Sequence, residues 1–244
     1  MNDSMKPIKP LGQKAYGSIG HLPGSRMGPG DHKLPVGQGD ICTLTARDRH
    51  DEIWVQEKLD GSCVSVANIG GKLVALGRSG YEAKTSKYLQ HQFFADWVAQ
   101  NVGLFDFLMA GERVVGEWLA QAHGTRYELK HGPFVAFDIM RGHERFTYQR
   151  FRYAIRGRLP TPTLISTGPT SIETVLDRIA LSCHGALDPV EGAVWRVERK
   201  GKVDFLAKYV RPEKKDGCYL PEISGTEAIW NWRPEALSAP GGDI

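Results

Sequence analysis

The sequence predicts an α+β fold made mostly of strands, with a few helices packed against antiparallel sheets. Three observations predict it. Short β-type apolar runs recur from Ile53 to Val210, each bounded by polar turn residues. One stretch, from residue 87 to about 109, instead repeats its apolar residues at helical spacing. Thr170 and Glu173 form a capping box that opens a second helix, running to about Cys183.

Composition sets the outer bounds. At 244 residues, 41% hydrophobic and 24% charged, the chain suits one large domain with a sizeable core. No apolar run is long enough to cross a bilayer, and Met1–Pro7 lacks the apolar core of a secretion signal. The expectation is no membrane and a cytoplasmic location. Cys42, Cys63, Cys183 and Cys218 form no C-x-x-C pair and lack matched histidine spacing, which argues against zinc and for reduced thiols. Adjacent side chains rarely face each other, so Cys183 and His184 are not expected to act as nucleophile and base.

Residues 1–50 are rich in Gly and Pro without sustained periodicity, and are expected to form an N-terminal arm that touches substrate. Within it Arg26, His32 and Lys33, with His21, are suited to phosphate contact. Ile53–Lys58 and Cys63–Val66 read as two strands joined by the turn Leu59-Asp60-Gly61-Ser62. Leu73–Leu76 is a further strand, ending at Gly77-Arg78-Ser79-Gly80. Leu89, Phe93, Phe94, Trp97, Val98 and Val102 give the long helix its core face. Arg113–Leu119, Pro133–Ile139, Gly192–Val197 and Val203–Val210 complete the strands. Residues 212–244 read as a polar tail with a short helix near Glu227–Trp232. No internal repeat or low-complexity segment interrupts this order.

The net charge is only +3, but its distribution is uneven. Arg141, Arg145, Arg150, Arg152, Arg156 and Arg158 form one basic stretch; Lys200, Lys202, Lys208, Arg211, Lys214 and Lys215 form another. Such clusters on a near-neutral protein fit a polyanionic partner such as nucleic acid.

Lys58 is the residue with the most chemistry to offer. A lysine at a turn between strands stands at the mouth of a sheet, where its amine can reach a ligand. Protonated lysine is a weak nucleophile until burial or a cationic neighbour lowers its pKa. Glu117, Glu191 and Lys208 are charged residues set in apolar strands. Each alone could simply face solvent. Together with Lys58 and Arg78 they describe a groove holding both cations and carboxylates, the mixture that phosphoryl transfer requires.

These residues carry a family resemblance. In order, Lys58-Leu59-Asp60-Gly61, Gly77-Arg78-Ser79-Gly80, Val115-Gly116-Glu117-Trp118, Val135-Ala136-Phe137-Asp138, Val190-Glu191-Gly192-Ala193-Val194 and Phe205-Leu206-Ala207-Lys208-Tyr209 resemble the motifs of the covalent nucleotidyltransferases. That superfamily comprises ATP-dependent RNA and DNA ligases and messenger-RNA capping enzymes. The chain is most similar to the RNA ligase branch related to the phage nick-sealing enzymes, over about residues 53 to 211.

The resemblance implies an ATP-grasp-like ligase adenylation domain over residues 51–211. Lys58 would attack the α-phosphorus of ATP and form lysyl-AMP. Glu57 and its neighbour Leu59 would lie along the adenine, Arg78 on phosphate or ribose, Glu117 on the ribose hydroxyls, and Phe137 against the adenine ring. Glu191 would support a hydrated Mg²⁺, with Mn²⁺ the alternative ion, and Lys208 would hold the α-phosphate. Nearby positive charge is expected to keep Lys58 unprotonated. AMP would then pass to a 5′-phosphate end of RNA, as a nick or a broken strand, for sealing to a 3′-hydroxyl in RNA repair. The fifth motif has one lysine where the family commonly has two, and Arg211 is the expected substitute. Residues 212–244 are too few for an OB domain, so the arm or a partner protein would supply that grip. A DNA nick ligase and a capping-type nucleotidyltransferase are the alternatives within this chemistry. From another class, a non-catalytic nucleic-acid-binding protein of the same fold is the alternative.

Overall fold

The computed structural model describes residues 8–179 and 182–233. Two five-stranded sheets form the body. The first, sheet A, runs β1 (Gly20–His21), β10 (Lys202–Val210), β9 (Gly192–Arg199), β2 (Asp51–Lys58) and β8 (Leu164–Thr167) across its width. Sheet B runs β4 (Lys72–Gly77), β3 (Ser62–Ile69), β5 (Glu112–Trp118), β6 (Phe134–Arg141) and β7 (Glu144–Arg145). All neighbours are antiparallel except β1 and β10. With the helices below, this is the α+β class expected.

Alternation along β2 explains its place. Ile53 and Val55 pack with Trp195 and Val197 of β9 in one apolar layer, leaving Gln56 and Lys58 to line the space between the sheets. β2 and β3 do not pair with each other. At Leu59–Gly61 the chain crosses from sheet A to sheet B, so Lys58 stands at the seam. Only glycine fits the crossing, because a Cβ on Gly61 would lie 2.5 Å from the Trp118 carbonyl oxygen.

The main core covers the outer face of sheet B, where α2 (Leu89–Gln100) and α3 (Tyr148–Ala154) bring Phe93, Phe94, Trp97 and Phe151 onto Trp118 and Phe134. A second core covers the outer face of sheet A, where α1 (Gln38–Thr43) and α4 (Ile172–Arg178) contribute Cys42 and Val175. Among the described residues no helix is long and apolar enough to cross a membrane.

Several elements differ from the sequence reading. The long helix stops at Gln100, where the Asn101 side chain donates to the Trp97 carbonyl at 2.8 Å. A 3-10 turn over Val102–Phe105 follows, and Val102 is exposed rather than core. The cap of α4 is Ser171, whose hydroxyl accepts from the Thr174 amide, because Thr170 is spent on the Gly168 carbonyl. That helix ends at Arg178, and positions 180 and 181 of its expected course lie outside the described residues. The helix expected near Glu227–Trp232 is absent; α5 (Pro221–Ser224) forms earlier, with proline in its first turn. Trp230 bridges to Gln121 and, with Trp232, packs on the aromatic core. The tail is therefore docked over its described length. So is the arm, since β1 joins sheet A and Ala15, Tyr16, Leu22 and Cys42 are buried.

The space between the sheets holds charge. Arg196 on β9 donates to Asp138 on β6 at 3.1 Å and to Glu198 at 2.8 Å. Asp138 also accepts from the Tyr16 hydroxyl at 3.2 Å and pairs with Arg145. Asp138 is wholly buried and Arg196 is 3% exposed. Removing one member of such a network strands the rest. Asp138→Ala is expected to lower the unfolding free energy by about 3–5 kcal/mol, because it takes the carboxylate from Arg145 and leaves Arg196 with Glu198 alone. Urea denaturation of the purified variant measures this, and a loss near zero would show that the network holds nothing together.

Candidate active site

Lys58 ends β2 opposite Gly192, the first residue of β9. A Cβ on Gly192 would lie 1.9 Å from the Tyr209 carbonyl oxygen, so glycine is required for β9 and β10 to close there. That closure seats Glu191 against the lysine: the Lys58 Nζ donates to Glu191 Oε2 at 2.6 Å. Glu117 on β5 faces the same seam, its Oε1 accepting from the Gly61 amide at 3.1 Å. Asp60, within the crossing, accepts from the Gly124 amide and from Lys214, each at 2.9 Å.

This carboxylate cluster sets the charge states. Burial alone would push Lys58 down, but Glu191, Glu117 and Asp60 outweigh it and hold its pKa above the ordinary lysine value. Arg78 and Lys208 line the same cavities, yet the carboxylates prevail over them: Lys58 is held as an ammonium, not unprotonated as expected. Burial pushes Glu117 up to about 8; Lys58 pulls against this, while Glu191 and Asp60 add to it. Glu191 is pushed up to about 7 by burial, with Lys58 again opposing.

Two cavities meet at this cluster. The larger, of about 1000 Å³, is lined by Glu57, Lys58, Leu59, Arg78, Glu117, Phe137 and Lys208, with Tyr16 and Ile19 from the arm. The smaller, of about 360 Å³, is lined by Arg26, Asp60, His123 and Glu191. Lys58, Arg78, Glu117 and Lys208 line both.

Phe137 reaches the larger cavity through a β-bulge. Val115 pairs with Asp138 and Gly116 with Ala136, so Phe137 is the extra residue between them. The bulge lets Phe137 and Asp138 both face the space between the sheets, and Phe137 meets the Tyr16 ring edge-on at 5.2 Å. Arg78 is exposed and donates to the Gly17 carbonyl at 3.2 Å. The Glu57 carboxylate is 3% exposed and turned to the Thr163 hydroxyl at 2.8 Å; the Leu59 side chain is buried in a small apolar cluster. For these two residues, only edges and backbone are left to border a ligand.

Lys208 donates to Asp31 of the arm at 3.0 Å. Burial opposes ionisation of Asp31, but the Gly28 amide and Lys208 prevail and hold its carboxyl well below the usual range. Of the expected nucleic-acid contacts, Arg26 lines the smaller cavity and is paired with Asp216. His32 and Lys33 are exposed and line neither cavity. The Arg211 amide donates to the Glu191 carbonyl at 3.0 Å, and its guanidinium lies 3.9 Å from Glu213. Lys214 is 8% exposed, bonded to Asp60, Thr125 and the Gly124 carbonyl, and lines neither cavity. Nothing in its local sequence separates Lys214 from the surface lysines beside it. Asp31 and Tyr16 were likewise missed, because they reach the site only through the fold of the arm. Cys183 is exposed while His184 is buried against His131 at 2.8 Å, so that pair stays outside the site.

Among the described residues no three His, Cys, Asp or Glu side chains converge as a metal cage. The donors are two carboxylates at an open seam, Glu117 and Glu191. That suits Mg²⁺, which keeps most of its waters and binds through one or two carboxylates plus substrate phosphate.

The RNA ligase family profile matches residues 51–210. No curated protein matches the chain. Two solved structures of Naegleria gruberi RNA ligase variants, one with AMP and Mn and one with ATP and Mn, are similar at a TM-score of 0.50. Their identities are 15% and 16%; each match covers 84% of this chain, and 62% and 61% of theirs. An archaeal ATP-dependent RNA ligase is similar at 0.47, with 17% identity over 66% of this chain and 43% of its own. This chain thus spans about two fifths to three fifths of the ligases it matches. Over the span of its profile match, which takes in every strand from β2 to β10, the chain belongs to the RNA ligase family.

Proposed function

We propose that this protein is an ATP-dependent RNA ligase that carries AMP on Lys58. One observation carries the reading: in a member of this family, the Lys58 amine lies 2.6 Å from Glu191 where two cavities meet. The larger cavity receives the adenosine, with Phe137 against the base and Glu117 near the ribose. Lys208 and Arg78, which line both cavities, receive the phosphates. The smaller cavity, with Arg26 and His123, receives the pyrophosphate and later the 5′-phosphate of RNA.

The chemistry begins with proton removal, since Lys58 is held as an ammonium. Glu191 is the base in contact with it, and a carboxylate with a pKa of about 7 can take up a proton near neutrality. The freed amine forms a P–N bond to the α-phosphorus as the bond to the β-phosphate oxygen breaks; pyrophosphate leaves, and the second proton shed by the nitrogen goes to it or to water. A divalent ion held by Glu191 and Glu117, Mg²⁺ or Mn²⁺, would neutralise charge on the phosphates when bound. Lys208 must release Asp31 to hold the α-phosphate, an exchange of one oxyanion for another. AMP then passes to a 5′-phosphate, and a 3′-hydroxyl displaces it to close the strand. The reading places the chain in the cytoplasm, gripping RNA through the arm or with a partner protein.

Incubation with α-labelled ATP and Mg²⁺ is expected to leave acid-stable label on the protein. Lys58→Ala and Glu191→Ala should each abolish it, while Arg26→Ala should spare labelling and weaken sealing of nicked RNA. Label that survives Lys58→Ala, or none with any nucleotide, would sink the proposal. Sealing of nicked DNA in preference to RNA would instead select the DNA ligase alternative.

The raised carboxylates also predict a cost in stability. The folded state holds a proton on Glu117 up to about pH 8, whereas the unfolded chain loses it near pH 4.5. Between these values the folded state binds more protons, so this group destabilises the protein increasingly as pH rises. Glu117→Gln is expected to raise the melting temperature of the ligand-free protein at pH 8, with the gain fading as pH falls toward 4.5. A gain of equal size at both ends of that range would disprove the charge explanation.

A further inference from the structure

The arginines of this protein differ in their partners, and some, such as Arg78 and Arg113, meet a backbone carbonyl and no carboxylate among the described residues. Arg26, Arg47, Arg126, Arg141 and Arg199 each meet a carboxylate. Arg150, Arg152, Arg156 and Arg158, on α3 and the turn after it, are exposed, and none pairs with a carboxylate among the described residues. Arg150 lies over the Phe146 ring at 3.5 Å, Arg152 donates to the Thr161 hydroxyl, and Arg158 donates to the Gly103 carbonyl at 3.2 Å. No acidic residue occurs anywhere from Arg145 to Ile172. A helix face that is merely solvated usually mixes both signs of charge. This one keeps only the positive sign and adds an aromatic ring, Tyr153, which is 81% exposed.

The face is held firmly from behind. Phe151 is wholly buried, and Tyr148 stacks on Trp54 of β2 with ring centroids 4.4 Å apart. The segment after α3 is also the wall of the larger cavity: Arg152 bonds Thr161, Pro162 lines the cavity, and the Thr163 carbonyl accepts from the Glu57 amide at 2.9 Å. A strand lying on this face is thus connected to the nucleotide site through three consecutive residues.

We propose that the outer face of α3 and its following turn, Arg150, Arg152, Tyr153, Arg156 and Arg158, docks a single strand of RNA. The choice of RNA as partner rests on the ligase reading. Guanidinium groups without protein counter-ions take phosphates, and an exposed tyrosine offers a ring on which a base stacks. The aromatic ring within the basic face favours a nucleic acid over a lipid headgroup layer.

Fluorescence anisotropy with a labelled 5′-hydroxyl RNA oligonucleotide, which cannot accept AMP, tests the surface on the full chain. The triple variant Arg150→Glu, Arg152→Glu, Arg156→Glu is expected to bind at least about tenfold more weakly. Its dependence of log affinity on log salt should flatten by about 2, since each single-strand phosphate that an arginine neutralises contributes roughly 0.7 to the slope. Tyr153→Ala should weaken binding about fivefold or more by removing the stacked ring, and Tyr153→Phe should restore it. Labelling with α-labelled ATP should be unchanged in all of these. The corresponding Arg→Gln triple, which reverses no charge, should weaken binding in the same direction and decides the matter if the Glu variant does not fold. RNA affinity and salt slope unchanged in the Gln variant, with labelling intact, would overturn the surface and leave the ligase reading standing. Failure of the wild-type protein to label, with RNA binding still dependent on these arginines, would sink the ligase reading and support the surface. Binding to phosphatidylserine vesicles that the Gln variant loses, with RNA binding retained, would overturn it in favour of a membrane.

Discussion

The contact between Arg196 and Asp138 is the constraint on which the rest of the site depends. Sheets that line a cavity with charged residues cannot present wholly apolar inner faces, so two such sheets cannot be held together by hydrophobic burial alone. Here the inner faces are joined by a buried network, Arg196 to Asp138 and Glu198, with Tyr16 and Arg145 on the remaining oxygen. Buried ion pairs add little net stability compared with an apolar replacement, but they tolerate few geometries. Asp138 is the neighbour of Phe137, and Arg196 lies two residues from Val194, the partner of Lys208 across β9 and β10. The same contact therefore spaces the aromatic wall of the cavity from Lys208.

A second feature follows from putting so much charge in one seam. Three lysines at or beside the seam are each held by a carboxylate: Lys58 by Glu191, Lys208 by Asp31 and Lys214 by Asp60. The carboxylates carry the strain, with Glu117 and Glu191 pushed up to about 8 and about 7. On the proposed function, such a site would gain by accepting a metal ion and a polyphosphate together, since each relieves the charge that the other would leave unpaired. The arm takes part in this exchange through Asp31, which is why its fold as well as its charge matters.

Much of this was legible along the chain, and the reasons are local. Strands such as Arg113–Leu119 and Val203–Val210 announce themselves by β-type residues between turns. The helix over Leu89–Gln100 announces itself by period. What was missed is short or depends on distant partners. β8 is a four-residue edge strand, and α3 hides its buried Tyr148, Phe151 and Ile155 inside an arginine-rich stretch. Trp230 and Trp232 lie in a segment that reads as polar, and they become core only because the tail folds back onto Trp118 and Phe93.

The sequence by itself determined which chemical groups are present and in what order, because motifs are carried by neighbouring residues: a lysine at a turn, an arginine after a strand, charged residues within apolar strands. Only the tertiary structure decided their charge and company. Lys58 was expected unprotonated and is held as an ammonium by Glu191, a residue 133 positions away in the chain. Lys214 meets Asp60, from far earlier in the chain, and the arm folds onto Lys208 through Asp31. A pKa depends on burial and on charges a few ångströms distant, and both come from contacts between residues far apart in sequence.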